Sequence, residues 1–255
     1  MSKVDISTCQ FDYKAAQCQD KWIIDLTNAK TDGYFVEAGA ADGIRSSNTY
    51  VLEKHLNWQG ICVEPIDGLY EMLIKNRNIC ENICLYSEEK EIEFLEFVDY
   101  SSAIKGKGGY DYSGYSGIKK HIHISRRKRL LLLSWQASLV SKEGGRYWDD
   151  VHKMWTDVKK GKTIKKHTMT LESLLDKHNA PNIIDYISLD TEGSEFAILK
   201  NFPFNKYTVM AFSIENRYCS NLLKHKGYIV VKNKFDPDNK HEYYYIHPNH
   251  QSIKK

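Results

Sequence analysis

The sequence predicts an α/β protein with a doubly wound, mostly parallel sheet that carries a terminal antiparallel hairpin and a basic insertion. Apolar, strand-like runs alternate with helix-competent segments from Gly33 to about Phe97, and the alternation resumes after residue 167. Such alternation is typical of a parallel sheet covered by helices. Near the end of the chain, Tyr228–Val231 and Tyr243–Ile246 have the pattern of two paired strands.

The first strand comes early in the chain. Residues 1–32 are polar with scattered apolar positions, and they predict an N-terminal helical extension ahead of a main domain at residues 33–255. The apolar run Tyr34–Val36 then ends in the acid Glu37, and helix-competent sequence follows from about Asn48. A strand that turns tightly into a helix leaves backbone N–H groups pointing into the crevice beyond the strand. This arrangement predicts a ligand site.

The turn itself has the spacing E-x-G-x-x-x-G, from Glu37 through Gly39 to Gly43. Glycines let a ligand approach the backbone closely. The next strand, Gly60–Val63, ends in a second acid, Glu64, which is placed to accept the ribose hydroxyls of an adenosine. An acid beside the turn repels a pyrophosphate and attracts a cation. The pattern therefore favours the sulfonium and ammonium groups of S-adenosylmethionine over a dinucleotide.

Further elements follow the second strand. Leu69 and Leu73 have helical spacing, Ile83–Tyr86 is an apolar strand-like run, and Ile92 and Phe94 alternate with acids as in a strand. Helical and strand periods are distinguished by these spacings. The first half of the domain is therefore predicted to be a regular succession of strands and helices.

Residues 101–167 interrupt this succession. A glycine-rich loop leads into a basic segment that includes Arg126–Arg129, and between Lys119 and Lys166 there are fourteen Lys or Arg residues against four Asp or Glu. Long irregular segments in compact domains are commonly functional. We expect this insertion to form a lid and to bind the acceptor. The α/β pattern then resumes with a helix capped by Thr170.

Two strands in the second half also end in acids. The run Ile184–Leu189 stops at Asp190, and Val209–Glu215 ends in Glu215. Neighbouring parallel strands lie about 5 Å apart, so Asp190, Glu192, Glu215 and Asn216 are expected to converge. Oxygen ligands without thiols suit Mg²⁺ or Mn²⁺, or Fe²⁺ when a histidine joins them. These three acids are therefore candidate metal ligands and candidate catalytic residues, because a bound cation lowers the pKa of a substrate hydroxyl.

Glu192 also has a purely structural interpretation. An acid at this position can complement the positive N-terminal end of the following helix without touching a ligand. The same interpretation is stronger for Glu195, which lies further into that helix. It is weaker for Asp190 and Glu215, because two strands that each end in an acid are less easily accidental.

Several motifs run through both halves of the chain: Phe35–Gly43, Ser47–Tyr50, Glu53, Trp58–Pro65, Lys75–Arg77 and Leu189–Glu195. Together they resemble the FkbM-type methyltransferase family, over roughly residues 33–97 and 168–232. The first motif of that family often begins with Asp, and Glu37 replaces it here with the charge preserved. The resemblance implies a class I methyltransferase fold and an S-adenosylmethionine-dependent O-methyltransferase.

The expected methyl-donor site combines the glycine turn, the start of the next helix and the end of the second strand. Its residues are Glu37, Gly39, Ala40, Asp42, Gly43, Ser47, Asn48, Thr49, Glu64 and Pro65. Family members act on secondary metabolites and on sugars of bacterial surface polysaccharides. The basic insertion favours an anionic acceptor, such as a nucleotide-activated sugar used for a capsule or another surface polysaccharide, whose pyrophosphate Arg126–Arg129 would neutralise.

Three alternative functions compete with this interpretation. An RNA methyltransferase is suggested by the aromatic residues within the basic segment, although the net charge of only +3 is small for a nucleic-acid-binding protein. A secondary-metabolite O-methyltransferase would have the same motifs. A non-catalytic nucleotide-binding module would keep the fold without the chemistry, but the acids at four strand ends disfavour it.

Composition sets the remaining expectations. The longest apolar candidate, Leu130–Leu133, is far shorter than a membrane span of about 20 residues. The N-terminal segment lacks the apolar stretch of a signal peptide, and the six cysteines are scattered without a C-x-x-C pair. We therefore expect a cytoplasmic protein with reduced thiols. Self-association into a homo-oligomer is left open.

Overall fold

The computed structural model describes residues 10–96, 116–121, 162–215 and 217–250. The chain divides into two compact units. The first unit comprises Met1–Lys90, Thr168–Thr191 and Glu195–Lys255. The second unit comprises Glu91–His167 and Glu192–Ser194.

The described part of the chain contains helices and strands in alternation. The helices are α1 (Gln19–Thr27), α2 (Tyr50–His55), α3 (Asp67–Asn76), α4 (Leu171–Lys177), α5 (Glu195–Leu199) and α6 (Ser220–His225). The strands are β1 (Tyr34–Ala38), β2 (Gln59–Val63), β3 (Cys80–Glu81), β4 (Cys84–Leu85), β5 (Glu91–Glu96), β6 (Gly117–Ile118), β7 (Lys162–Met169), β8 (Ile183–Ile184), β9 (Tyr186–Leu189), β10 (Thr208–Val209), β11 (Ala211–Glu215), β12 (Ile229–Val231) and β13 (Glu242–Ile246). A 3₁₀ turn at Arg217–Cys219 precedes α6.

A seven-stranded sheet lies at the centre of the first unit, in the order β12-β13-β11-β9-β1-β2-β3. β1 is parallel to β2 and to β9, and β9 is parallel to β11. β13 is antiparallel to both β11 and β12, which confirms the predicted terminal antiparallel pair. Because β1, β2, β9 and β11 run in the same direction, their carboxyl ends meet at one edge of the sheet.

Both faces of this sheet are buried. Successive residues of a strand point to opposite faces, and two successive residues of β1 belong to two different apolar clusters. Val36 belongs to a cluster that contains Leu174 of α4 and Leu199 of α5. Its neighbour Phe35 belongs to a second cluster, which contains Ile23 of α1 and Leu52 of α2. A strand covered on both faces needs the nearly continuous apolar run that the sequence has here.

In the second unit, β5 pairs in antiparallel fashion with β6 and with residues 162–167 of β7. An ion pair between Lys165 and Glu91, with Nζ and Oε1 2.6 Å apart, accompanies the β5–β7 pairing. Most of the predicted insertion, including Arg126–Arg129, lies outside the described residues. Its role as a lid and acceptor-binding region stays a prediction.

Three smaller expectations can be compared with the structure. Thr170 is the N-cap of α4, since its Oγ1 accepts a hydrogen bond from the backbone N–H of Ser173 at 3.0 Å. The described cysteines form no disulfide bond with one another; they are Cys18, Cys62, Cys80, Cys84 and Cys219. Among the described residues, no helix has both the length and the apolar character needed to cross a membrane.

Candidate functional site

The glycine turn (Gly39–Gly43) begins at the sheet edge where the parallel strands end. The backbone N–H groups of Gly39 and Ala40 both donate to the carbonyl of Val63, at 3.0 and 3.1 Å. Gly39 has φ +85°, and a Cβ atom there would lie 2.0 Å from the carbonyl oxygen of Asp190. Glycine is therefore required sterically as well as conformationally. Gly39 is exposed, so a ligand can reach the backbone at this residue.

The other end of the glycine turn is held in place by hydrogen bonds of Asp42. Asp42 Oδ1 accepts the backbone N–H groups of Ile44 and Arg45, at 2.9 and 2.8 Å. The side-chain amide of Asn76 donates to the carbonyl of Asp42 at 2.8 Å. Asp42 therefore shapes the loop through its contacts, while its half-buried side chain remains partly accessible.

Glu64 lies at the end of β2, as the sequence predicts, and is 4% exposed. Its Oε2 accepts the backbone N–H of Ala41 at 2.9 Å, and its Oε1 accepts that of Ile66 at 2.9 Å. Each carboxylate oxygen can accept two hydrogen bonds. Glu64 thus braces the glycine turn in a way that is compatible with ribose binding beside the half-buried Pro65.

Glu37 is buried, with 2% of its surface exposed. Its Oε1 accepts the backbone N–H of Asn48 at 2.6 Å. Its Oε2 accepts from the hydroxyls of Ser47 and Thr49 at 2.9 and 2.6 Å, and from Arg77 Nη1 at 3.2 Å. Four donors from this chain therefore converge on the acid that the sequence places beside the methyl donor.

Arg77 completes this arrangement from the end of α3. Its guanidinium is fully buried and also donates to Glu53 Oε2 at 3.0 Å. Further bonds reach the carbonyl of Gly43 at 3.2 Å, Ser47 Oγ at 3.0 Å and Thr49 Oγ1 at 2.7 Å. We refer to Glu37, Gly43, Ser47, Thr49, Glu53 and Arg77 as the Arg77 network. Sequence reasoning did not assign Arg77 to the site, although it lies in the quoted motif Lys75–Arg77.

A row of hydroxyls continues from this network across the sheet. Ser188 is the register partner of Glu37 on β9, and Ser213 is the partner of Ser188 on β11. Asn48 Nδ2 donates to Ser188 Oγ at 2.7 Å. Tyr186 Oη and Ser213 Oγ are 2.6 Å apart. Several predicted donor-site residues are thus held in a buried polar layer beneath the sheet edge.

Acids occupy the same edge on the neighbouring strands. Asp190 follows β9 and is exposed, whereas Glu215 ends β11 and is half-buried. Glu192 lies in the turn after Asp190 with φ 58°. One carboxylate oxygen of each of these three acids lies within 4.8 Å of the others. The predicted convergence of the three side chains is therefore observed.

A fourth acid, Glu242, was missed from the sequence. It is the register partner of Glu215 in the antiparallel β11–β13 pair and is 8% exposed. Burial, together with the charges of Asp190 and Glu215, raises the pKa of Glu242 to about 9. We refer to Asp190, Glu192, Glu215 and Glu242 as the acid row. The signal was present, because extending the predicted last strand by one residue places an acid opposite Glu215.

Gln19 is a further residue that sequence reasoning missed. It begins α1, is 3% exposed, and its side chain lies close enough to Glu242 to lower the pKa of that carboxyl. Its Oε1 accepts the backbone N–H of Gln17 at 3.0 Å, so its amide N–H₂ group is the one available to donate to Glu242. The N-terminal extension therefore contributes a side chain to the surroundings of the acid row.

Comparison with known proteins gives one match. The family model of the methyltransferase FkbM domain matches residues 37–219, more than half of the chain. The chain belongs to the FkbM methyltransferase family. No curated protein and no solved structure matches it.

The boundaries of the FkbM domain divide the site residues into two groups. The matched span contains all the residues that the sequence assigned to the donor site and the metal site, and it contains Arg77 as well. Gln19 and Glu242, which sequence reasoning missed, lie outside the match. Family motifs therefore could not have pointed to them, and only the fold brings them to the acids.

Proposed function

We propose that this FkbM methyltransferase transfers a methyl group from S-adenosylmethionine to a hydroxyl of a small acceptor, on a doubly wound class I sheet. The observation that carries the proposal is the position of the exposed Gly39 backbone. It lies at a common sheet edge between β2, which leads to Glu64, and β9, which leads to Asp190. Ligands of open α/β sheets bind at such an edge, beyond the carboxyl ends of the strands.

The residues of the glycine turn fit the methyl donor. Gly39 admits no Cβ because the carbonyl oxygen of Asp190 lies there, so the glycine brings the exposed turn close to the end of β9. Glu64 is held in place by two backbone N–H groups, so its carboxylate is oriented before a ribose arrives. The half-buried Asp42 and Pro65 complete the rim of the proposed donor site, and the buried Ala40 lies behind them in the turn.

A divalent cation fits the acid row. Asp190, Glu192 and Glu215 offer hard oxygen ligands of the kind that Mg²⁺ and Mn²⁺ prefer, with Fe²⁺ as a third candidate. Like charges directly opposite each other on antiparallel strands are destabilising. Glu215 and Glu242 form such a register pair. The repulsion between their charges is relieved when one of them is protonated or when a cation binds nearby. When bound, such a cation acidifies a hydroxyl group.

The three acids also have a role that needs no metal. A carboxylate within hydrogen-bond reach of an acceptor hydroxyl can take its proton as a general base. Asp190 is exposed and Glu215 is half-buried, so both can be reached by a substrate from the sheet edge. Chelation distinguishes this role from metal assistance, because a plain general base keeps its activity without a cation.

For the acceptor we propose a nucleotide-activated sugar used in the cytoplasm to build a surface polysaccharide. The basic segment of residues 119–166 supports it, since fourteen Lys or Arg residues would neutralise a pyrophosphate. The same segment supports RNA as the second candidate. Contacts with many phosphates make RNA binding fall steeply with salt, whereas a nucleotide sugar with one pyrophosphate responds weakly.

The proposal is tested by incubating the protein with S-adenosylmethionine and a panel of nucleotide sugars, small phenolic metabolites and a short RNA. Mass spectrometry would detect a mass gain of about 14 Da in a methylated product. We expect methylation among the nucleotide sugars. Methylation of the RNA, or of the phenols alone, would replace the proposed acceptor. Donor binding without methylation of any member would favour a non-catalytic module.

A further inference from the structure

Arg77 and Glu37 have no part in the chemistry proposed so far. The Arg77 side chain is fully buried, and its guanidinium lies between Glu37 at 3.2 Å and Glu53 at 3.0 Å. Burying an ion pair carries a desolvation cost that is offset only when the geometry is good and additional hydrogen bonds satisfy the remaining donors. Bonds to Gly43, Ser47 and Thr49 provide this, and all three residues belong to the segment that follows β1.

The carboxylate of Glu37 is likewise satisfied by hydrogen bonds from this chain. Both of its oxygens accept hydrogen bonds from this chain, and the residue is 2% exposed. An ammonium group could reach the carboxylate only by displacing donors that already satisfy it. The charge of Arg77 also compensates that of Glu37, which weakens the attraction that Glu37 exerts on a cationic ligand in the crevice.

We infer that Arg77 and Glu37 are positioning residues, which fix the backbone between Gly39 and Thr49 and act on the methyl donor through that backbone. Glu37 then does not contact the ammonium group of the donor. This inference rests on the proposed function, since it concerns the same donor site. It predicts that the Arg77 network supports any ligand that uses the backbone of the glycine turn, whether or not that ligand carries an ammonium group.

Two ligands separate a positioning role from direct contact. S-adenosylhomocysteine carries an ammonium group, whereas 5′-methylthioadenosine has the same adenosine and thioether without it. Calorimetric titration of both ligands would be compared for the wild-type protein, Glu37→Gln and Arg77→Lys. Lysine carries its charge and its donors on one nitrogen, so it cannot bridge the partners that the arginine fork joins. We expect each variant to bind both ligands at least tenfold more weakly, by factors that agree within about twofold.

Tyr228→Phe is the control for losing a buried hydrogen bond elsewhere in the chain. Tyr228 is 5% exposed, and its hydroxyl donates to the carbonyl of Val209 at 2.8 Å, outside the Arg77 network. We expect this variant to lower the melting temperature while changing both affinities by less than twofold. If Arg77→Lys does not fold, Thr49→Val removes a hydroxyl that joins Glu37 to Arg77, and it should weaken both ligands equally.

Three results would overturn the inference. A loss confined to S-adenosylhomocysteine would show that Glu37 contacts the ammonium group. Unchanged affinity for both ligands would show that the network does not position the donor site. An equal loss in Tyr228→Phe would show a general effect of destabilisation. A wild-type protein that binds neither ligand would instead refute the proposed function itself, and this inference with it.

Discussion

The Arg77 network and the acid row both include residues of the seven-stranded sheet, but the negative charges of their acids are compensated in different ways. In the network, Glu37 and Glu53 share a buried guanidinium, and hydroxyls and backbone groups complete the hydrogen bonding. In the acid row, Glu215 and Glu242 face each other across β11 and β13, and the pKa of Glu242 is raised to about 9 by burial and by the nearby acids. The first arrangement suits a fixed framework, whereas the second suits a site that takes up a cation or a proton.

Under the proposed function, the acids at the strand ends have two different roles. Acids at strand ends look alike in sequence, but their surroundings decide whether they support backbone or face a ligand. Glu37 is buried among donors of its own chain, while Asp190 is exposed at the sheet edge. Substitutions in the two regions should therefore have different consequences for donor binding and for turnover.

The largest effect is expected at Gly39. Gly39→Ala places a Cβ atom 2.0 Å from the carbonyl oxygen of Asp190, which must displace the turn. We expect calorimetry to show no binding of S-adenosylhomocysteine. Gly227→Ala is the matched control, because Gly227 has φ +86° but its nearest neighbour would lie 3.9 Å from the new Cβ. Retained binding in Gly39→Ala would place the donor elsewhere.

Asp190 should affect turnover far more than donor binding. Asp190→Asn removes a charge from the acid row without changing the size of the side chain. Since electrostatic groups at a reacting centre commonly contribute 10²-fold or more to the rate, we expect kcat to fall by about two orders of magnitude. The Kd for S-adenosylhomocysteine should stay within threefold. Asp185→Asn is the control, because Asp185 precedes the first residue of β9, and it should leave kcat nearly unchanged. Equal losses of kcat and affinity at Asp190 would contradict the division of roles.

Glu64 should affect donor affinity by an intermediate amount. Glu64→Gln keeps the shape but weakens a charge-assisted hydrogen bond to ribose, which contributes about 1.5–3 kcal/mol. The Kd should therefore rise by roughly 10- to 150-fold, as measured by calorimetry. Glu81→Gln, at the end of the neighbouring strand β3, is a suitable control. An unchanged Kd in Glu64→Gln would mean that Glu64 only braces the turn.

The smallest effect concerns Glu242 and pH. Its folded-state pKa of about 9 lies above the ordinary value of 4.5, so the native state retains this proton over a range in which the unfolded chain loses it. The associated stability is present below pH 4.5 and is lost progressively as the pH rises toward 9. In chelator, denaturant titrations at several pH values should show this loss in wild type and a flatter profile in Glu242→Gln. Parallel profiles would exclude a shifted Glu242.

Much of the fold could be predicted from local patterns. The terminal antiparallel pair and the Thr170 cap follow from alternation and capping chemistry, and both are confirmed. The convergence of Asp190, Glu192 and Glu215 followed from the rule that parallel strands end at one edge, and it is observed. These features depend on short segments or on strand direction alone.

The features that sequence reasoning missed depend on pairing between distant parts of the chain. The pairing of Glu215 with Glu242 joins residues 27 positions apart, and it is set by one residue of strand length. The partnership of Arg77 with Glu37 spans 40 positions and depends on how α3 packs. The quoted motifs contain both Glu37 and Arg77. Only the folded chain shows that Arg77 donates to the acid that the sequence assigned to the ligand.

The central claim is that the glycine turn holds the methyl donor without a cation, while the acid row carries the transfer with one. The most direct test titrates S-adenosylmethionine into the wild-type protein in excess chelator and follows methyl transfer to an accepted nucleotide sugar in the same buffer. The account predicts unchanged donor affinity, no methyl transfer, and recovery of transfer when Mg²⁺, Mn²⁺ or Fe²⁺ is added. Full transfer in chelator, or donor binding that disappears with the cation, would contradict it.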